Sequence, residues 1–217
     1  MRKLKTIEDV LAELDEIIKI SEEKNDPLGY FAVLYRRVTW KVKEGISLNQ
    51  FDDGVRMEQL DIIFAKRYLD AYYNRSSGNI SQSWEKAFAL SRNYWPVILQ
   101  HLLIGINAHI NLDLGIAAAQ VSRQRQMLHL EHDFNRINAI LASLVEEVQQ
   151  NMSSIWPPLK RILLKTGEYD NLLVDFSMRI ARDGAWRFAN TLAATPEKGW
   201  KECIAIRESR GGKIWFN

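Results

Sequence analysis

The sequence predicts an all-α fold, a single-domain bundle of helices packed around a buried central helix at about residues 96–121. Apolar residues recur at intervals of three and four along most of the chain, which is the spacing of amphipathic helices. Apart from the short stretch Lys213–Phe216, no segment shows the alternation typical of a strand. The 217 residues contain no internal repeat and no linker rich in Gly, Ser or Pro, so we expect one domain.

Two predicted helices at the start of the chain are marked by capping signals. Thr6 opens a T-x-x-D box, and the apolar pattern after it predicts a first helix to about Glu23. Asp26 is placed as the next N-cap, with Pro27 at the first helical position, where a missing N–H is tolerated. We expect this second helix to end near Gly45.

Three further helices are predicted before residue 122. The third helix runs from about Val55 to Asn74 and ends at the Ser-Ser-Gly stretch 76–78. A shorter helix starts at about Ser83. The central helix begins at Pro96, again a position that suits proline, and a loop at 122–126 follows it.

The second half of the chain predicts three more helices. A regular apolar seam over residues 132–155 predicts a long helix that Pro157 closes. Asp170 is placed as the cap of a helix that runs through Trp186. Thr195, which a proline follows, opens the last helix.

Composition and charge argue against several classes of function. The formal net charge is only +2, and Lys and Arg alternate with acidic residues, so we expect no nucleic-acid partner. Cys203 is the only cysteine, which excludes an internal disulfide and a thiolate cluster and favours a cytoplasmic location. Glu8 and Asp9 interrupt any signal-peptide core. The polar residues of the central segment argue against a membrane span.

The central segment carries most of the polar chemistry that we expect in the core. His101, Asn107, His109, Asn111 and Asp113 lie within an otherwise apolar run. Burying an unpaired amide or imidazole costs roughly 1–3 kcal/mol, and an isolated carboxylate costs more. These side chains therefore need partners or a function.

The helical spacing of these residues predicts a shared site. His109 and Asp113 fall about 40° apart on one helix face, and His101 falls within about 120° of Asp113. Imidazole and carboxylate together suit a metal ion, or a carboxylate that orients an imidazole. Asn107 and Asn111 point nearly the other way. Either they bond to a second neighbouring helix, or the helix is broken upstream of them.

A second polar group lies where the next long helix begins, and it has two interpretations. Asp133 or His132 is an N-cap of that helix. Alternatively, the two join His109 in one site, with Asp175 or Asp183 as a fourth group.

Two local resemblances point to hydrolases. The His-x-x-x-Asp element of His109 and Asp113 is similar to a fragment of the zinc-dependent phospholipase C and P1 nuclease superfamily. Apolar residues 116–120 stand where that family carries a further histidine, so the resemblance implies a mononuclear or incomplete metal site. The order of His109, the His132-Asp133 pair and Asp175 resembles that of HD-domain phosphohydrolases.

A broader resemblance, to a bacterial family of uncharacterised helical proteins, rests on the N-A-H-I-N-x-D-L string at 107–114. The other matching segments are YRRVT at Tyr35–Thr39, FDDGVRMEQLD at Phe51–Asp61, FAKRYLDA at Phe64–Ala71 and DFNRIN at Asp133–Asn138. The resemblance implies a shared helical fold and brings no assigned activity. It also implies that a shared polar centre draws on Arg56, Asp61, Arg67, His101, Asn107, His109, Asn111, Asp113 and Asp133.

The polar residues of the third helix, Arg56, Asp61 and Arg67, have two interpretations. One is a salt-bridge network that ties this helix to the central one. The other places the arginines in a cleft, where a guanidinium holds a phosphate or carboxylate in bidentate fashion beside a metal.

The sequence thus supports two functional hypotheses. One is a metal-dependent hydrolase of a small or phosphorylated substrate, with zinc, iron or manganese as the ion. The other is a non-catalytic helical protein whose buried His, Asn and Asp side chains form a structural network. In the first, the metal ligands are His101, His109, Asp113 and His132, the base is Asp133, the anion clamp is Arg56 or Arg67, and the other buried polar residues are Asp61, Asn107, Asn111 and Asn138.

Overall fold

The computed structural model describes residues 3–26, 28–90, 109–122, 127–137, 139–140 and 168–214. Within these ranges the regular structure is entirely helical and no residue lies in a strand, which confirms the all-α fold. None of the helices in these ranges is both long enough and apolar enough to cross a membrane.

The first two helices form where the capping signals predict. Helix α1 spans Ile7–Lys24, and its capping box is complete: the Thr6 hydroxyl accepts from the Asp9 N–H at 3.3 Å, and the Asp9 carboxylate accepts from the Thr6 N–H at 3.0 Å. Helix α2 spans Leu28–Ser47, two residues beyond the predicted end, and the Leu28 N–H donates to Asp26 Oδ1 at 3.0 Å. The two helices pack against each other.

Helices α3 (Gly54–Asn74) and α4 (Gln82–Leu90) also lie close to their predicted bounds. Asp53 is the N-cap of α3 and accepts from the Arg56 N–H at 2.9 Å. One face of α3 enters the core, where aromatic rings of α2, α3 and α4 pack at centroid distances of 4.7–6.0 Å; these rings are Phe31, Tyr35, Phe64, Tyr68 and Trp84.

The described part of the predicted central helix is helical but irregular. Residues His109–Leu114 form a π-helix, and α5 (Gly115–Val121) continues from it. A π-turn widens the helix and is common at functional sites. Ser122, the first residue of the predicted loop, is the C-cap of α5 and has a non-helical backbone, while 123–126 lie outside the described residues. Residues 96–108 of the prediction lie outside the described part of the chain.

The later helices differ from prediction mainly at their starts. Helix α6 covers residues 127–137 and so begins five residues before the predicted start at 132. Helix α7 spans Glu168–Ala194, so Asp170 lies inside the helix instead of capping it. A 3₁₀ turn at Glu197–Gly199 leads into α8 (Trp200–Ile214), which includes the start of the 213–216 stretch.

The core positions the π-helix between elements that are distant in sequence. Helix α7 packs on both α5 and the π-helix, α3 contacts both from another side, and α8 contacts the π-helix and α4. Where α5 crosses α7, a Cβ on Gly115 would lie 2.9 Å from the Ala185 carbonyl oxygen. This glycine lets α5 and α7 approach closely enough to enclose the polar side chains of the π-helix.

Candidate functional site

Asp113, on the π-helix, is the centre of a buried polar cluster. Only 1% of its surface is exposed, and both of its carboxylate oxygens accept hydrogen bonds. Arg67 of α3 donates from Nε to Oδ1 at 2.5 Å, and Trp84 of α4 donates from its indole Nε1 to Oδ2 at 2.8 Å. These two hydrogen bonds, one of them charge-assisted, therefore offset the free-energy cost of burying this carboxylate.

Arg67 reaches Asp113 from the rim of the core. Its side chain is 31% exposed, whereas that of Asp113 is buried. The guanidinium bonds to Asp113 through Nε, and its two terminal nitrogens make no hydrogen bond to any residue that the structure describes. A guanidinium has five N–H donors, so the other four have no acceptor among the residues that the structure describes.

The last helix, α8, brings two more charged side chains to the same region. Glu208 is half-buried, and its pKa is raised by burial and then by the charge of Asp113, while Arg67 acts in the opposite sense. Arg207 donates from Nη2 to Asn111 Oδ1 at 2.5 Å. Asn111 thus bonds to a second neighbouring helix, which is one of the two arrangements expected from its position opposite Asp113.

Asp133, on α6, lies in a second polar cluster at the start of α3. It is fully buried; Oδ1 accepts from the Asp52 backbone N–H at 2.7 Å, and Oδ2 accepts from the Asp53 N–H at 3.2 Å and from Arg56 Nη2 at 3.1 Å. The carboxylate thereby lies at the positive end of the α3 dipole. The prediction that Asp133 or His132 caps its own helix is wrong, because α6 begins at residue 127.

His132 lies at the solvent edge of this second cluster. Its Nδ1 is 2.8 Å from Asp52 Oδ2, and the two side chains are 60% and 56% exposed. One ligand atom each from Asp52, His132 and Asp133 lie within 4.8 Å of one another, a grouping that could hold a metal ion. Arg56 also anchors this cluster by donating to the His129 carbonyl at 2.8 Å.

Asp61 differs from Arg56 and Arg67 on α3 because it forms no ion pair with any residue that the structure describes. It is only 4% exposed, and its Oδ2 accepts no hydrogen bond from any part of the chain that the structure describes. Burial, followed by the nearby charge of Glu58, raises the pKa of Asp61 to about 7. The charges of Asp61 and Asp113 both contribute, after burial, to the raised pKa of Tyr35. The Asp61 carboxyl therefore lies in the same region of the core as Tyr35 and Asp113.

The structure brings together some of the predicted site residues and separates others. Arg67 pairs with Asp113 of the central segment, as in the salt-bridge interpretation, whereas Arg56 pairs with Asp133 of α6. Asp61 forms no ion pair within the described part of the chain. Eleven residues of α3, about 16 Å along the helix axis, separate the two arginines, so Asp113 and Asp133 do not share one site. His101, Asn107, Asn138 and the side chains of His109 and Asp175 lie outside the described part, and Asp183 is exposed.

Several contributors to the two clusters were not predicted from the sequence. The sequence pattern predicts Trp84 to be a core residue of a short helix, and it predicts Asp52 to be part of a loop. Arg207 and Glu208 lie in a stretch without strong apolar periodicity. Each joins its cluster through a contact of long sequence separation, from 29 residues for Trp84 with Asp113 to 96 for Arg207 with Asn111.

The model of the family described as "Family of unknown function (DUF5995)" matches residues 7–214. The chain belongs to this family. The match covers all the helices from α1 to α8, and with them both polar clusters of this DUF5995 chain. No curated protein and no solved structure matches the chain significantly.

Proposed function

We propose that this DUF5995 chain binds the oxyanion of a small compound, a carboxylate or a phosphate, at the outer edge of Arg67. The observation that supports the proposal concerns the Arg67 guanidinium: Nε is bonded to the buried Asp113, while the side chain is 31% exposed and its terminal nitrogens bond to no residue that the structure describes. A planar fork of N–H donors matches two oxygens of a carboxylate or phosphate.

Asp113 contributes to this proposal by positioning Arg67. An arginine that is free to rotate loses side-chain entropy when it binds, at roughly 0.5–1.5 kcal/mol for a side chain of this type. Because Trp84 and Arg67 both donate to Asp113, the guanidinium is already oriented. Its partly buried position also weakens competition from water, which strengthens a charge-assisted hydrogen bond.

Metal-dependent hydrolysis at Asp113 has less support. Among the described residues, no group of three side chains that could hold a metal ion includes Asp113. Its carboxylate is bonded to Arg67 and Trp84 instead. The proposed function is therefore binding. The rival account is a purely structural role, in which the Arg67–Asp113 pair only joins α3 to the π-helix.

Titration of ¹⁵N-labelled protein with sodium succinate and, separately, with sodium phosphate tests the proposal by NMR. We expect at least one probe to shift the Arg67 Nε–H resonance, and we expect Arg67→Gln to weaken its binding at least tenfold. Arg36→Gln is the matched control, because Arg36 also pairs with an aspartate, Asp15, and its side chain is 38% exposed.

The result distinguishes the alternatives. Loss of binding in Arg67→Gln with full binding in Arg36→Gln supports the oxyanion site, and the probe that binds tells a carboxylate from a phosphate. If neither probe binds the wild-type protein, or if the two variants bind equally well, the pair is structural and the proposal fails.

A further inference from the structure

We propose that Asp52, His132 and Asp133 bind a divalent transition-metal ion such as Zn²⁺ at the start of α3. The three side chains come from two distant segments, the loop before α3 and helix α6, and their ligand atoms lie within 4.8 Å of one another. This site lies at the opposite end of α3 from Arg67, and it does not depend on the proposed oxyanion site.

The exposed pair of the cluster supplies two adjustable ligands. His132 Nδ1 and Asp52 Oδ2 are 2.8 Å apart. Two neighbouring ligands of a tetrahedral zinc ion with bonds of about 2.0–2.2 Å lie roughly 3.3–3.6 Å apart. The two atoms must therefore move apart by roughly 0.5–0.8 Å, and both side chains are more than half exposed, so rotation of the side chains can supply this movement.

Asp133 supplies the rigid ligand, and its hydrogen bonds indicate which oxygen is available. Each carboxylate oxygen has two lone pairs. Oδ2 uses both, on the Asp53 N–H and on Arg56, whereas the Asp52 N–H is the only donor to Oδ1 among the described residues. We therefore assign Oδ1 as the ligand atom, because it is the oxygen to which Arg56 does not donate.

The charges and ligand types of the cluster suit a metal of the zinc class. Two carboxylates and one imidazole are ligands that zinc, iron and manganese accept in proteins. Arg56 neutralises part of the charge of Asp133 through its bond to Oδ2. The second carboxylate, that of Asp52, pairs with the His132 imidazole. A metal ion bound by both side chains would take the place of the proton between them. Solvent reaches two of the three ligands, so water completes the coordination.

Calorimetric titration of the full chain with zinc chloride tests the site. We expect one zinc ion per chain in the wild-type protein, and a melting temperature that rises with zinc concentration. His132→Asn and Asp52→Asn should each weaken zinc binding at least tenfold. His129→Asn is the matched control, because His129 is also exposed on α6, one helical turn earlier, and Arg56 contacts only its backbone carbonyl.

The outcomes are clearly separated. Zinc binding that His132→Asn removes and His129→Asn leaves intact supports the site. The proposal is overturned if wild-type protein binds no zinc, if its melting temperature is unaffected by zinc, or if His132→Asn binds zinc as tightly as His129→Asn does. Asp133 is left unchanged in every variant because its loss would disturb the start of α3.

Discussion

Arg56 and Arg67 lie on the same face of α3, three helical turns apart, and each pairs with a buried aspartate from a different later segment. Eleven residues at about 100° per residue return to within about 20° of the starting direction. Asp133 of α6 meets Arg56, and Asp113 of the π-helix meets Arg67. Two ion pairs thereby join α3 to later parts of the chain. The paired residues are 46 positions apart for Arg67 and 77 positions apart for Arg56.

Removal of the Asp113 charge should destabilise the protein strongly. In Asp113→Ala, the Arg67 guanidinium and the Trp84 indole lose a buried acceptor, and breaking such a pair typically costs about 3–5 kcal/mol of unfolding free energy. Urea denaturation measures the difference. Asp15→Ala is the control, because its pair with Arg36 is exposed and should contribute less than about 1 kcal/mol. Equal losses in both variants would contradict the compensated buried pair.

Asp61 should make the protein less stable as the pH rises. Its pKa in the folded protein is about 7, above the ordinary value of 3.8, so folding favours the protonated form. The contribution of Asp61 to stability is therefore greatest below about pH 4, falls through the range from 4 to 7, and levels off above 7.

The variant Asp61→Asn removes this dependence. Relative to wild type, we expect this variant to gain up to about 4 kcal/mol of stability as the pH rises from 4 to 8. A pKa shift of one unit corresponds to about 1.4 kcal/mol. Urea denaturation at pH 5 and pH 8 measures this gain. Asp70→Asn, on the exposed part of the same helix, should show no comparable trend. A gain that is the same at both pH values would contradict a buried carboxyl without a partner.

Gly115 should not tolerate a side chain. A Cβ there would lie 2.9 Å from the Ala185 carbonyl oxygen and 3.1 Å from Phe188 Cδ1, and the backbone of α7 cannot easily move away. Overpacking of this kind costs about 1–3 kcal/mol, more than the helical preference of alanine returns. Thermal denaturation of Gly115→Ala should show this loss. Gly184→Ala should cost less, because its nearest neighbour is the flexible end of Arg207, at 2.7 Å.

Glu208 should oppose an anion bound at Arg67. Its carboxylate lies close enough for the charges of Asp113 and Arg67 to affect its pKa. At pH 8 we expect Glu208→Gln to bind the oxyanion probe several-fold more tightly, because a like charge is removed. Calorimetric titration measures the change, with Glu202→Gln, an exposed substitution on the same helix, as the control. Weaker binding in Glu208→Gln would place the anion elsewhere.

Local signals in the sequence predict the first half of the fold well. The capping box of Thr6 and Asp9 and the start and end of α3 depend on residues within one or two turns, and all agree with the structure. The start of α6 was placed late because its apolar seam becomes regular only at about residue 132, whereas residue 127 is already helical. Asp133, an N-cap in one interpretation of the sequence, is instead a buried acceptor for the backbone at the start of α3, 80 residues earlier in the chain.

The candidate site was predictable only in part. The sequence singled out Asp113 because it lies in an apolar run, and Asp133, Arg56 and Arg67 because they lie in the segments that carry the family resemblance. It could not pair them, since the register between α3 and the later elements depends on tertiary packing. It also could not foresee the π-turn, which changes how the side chains of 109–114 are directed.

NMR titrations test the central claim, which is that Asp113 positions Arg67 and is not a metal ligand. Zinc chloride and the oxyanion probes succinate and phosphate are added in separate titrations, and the Arg67 Nε–H and Trp84 indole N–H resonances, assigned with Arg67→Gln and Trp84→Phe, are followed. We predict that at least one oxyanion shifts Arg67 and that zinc shifts neither resonance. A zinc-induced shift of the Trp84 indole, together with no response to either oxyanion, would contradict the account and return the metal to Asp113.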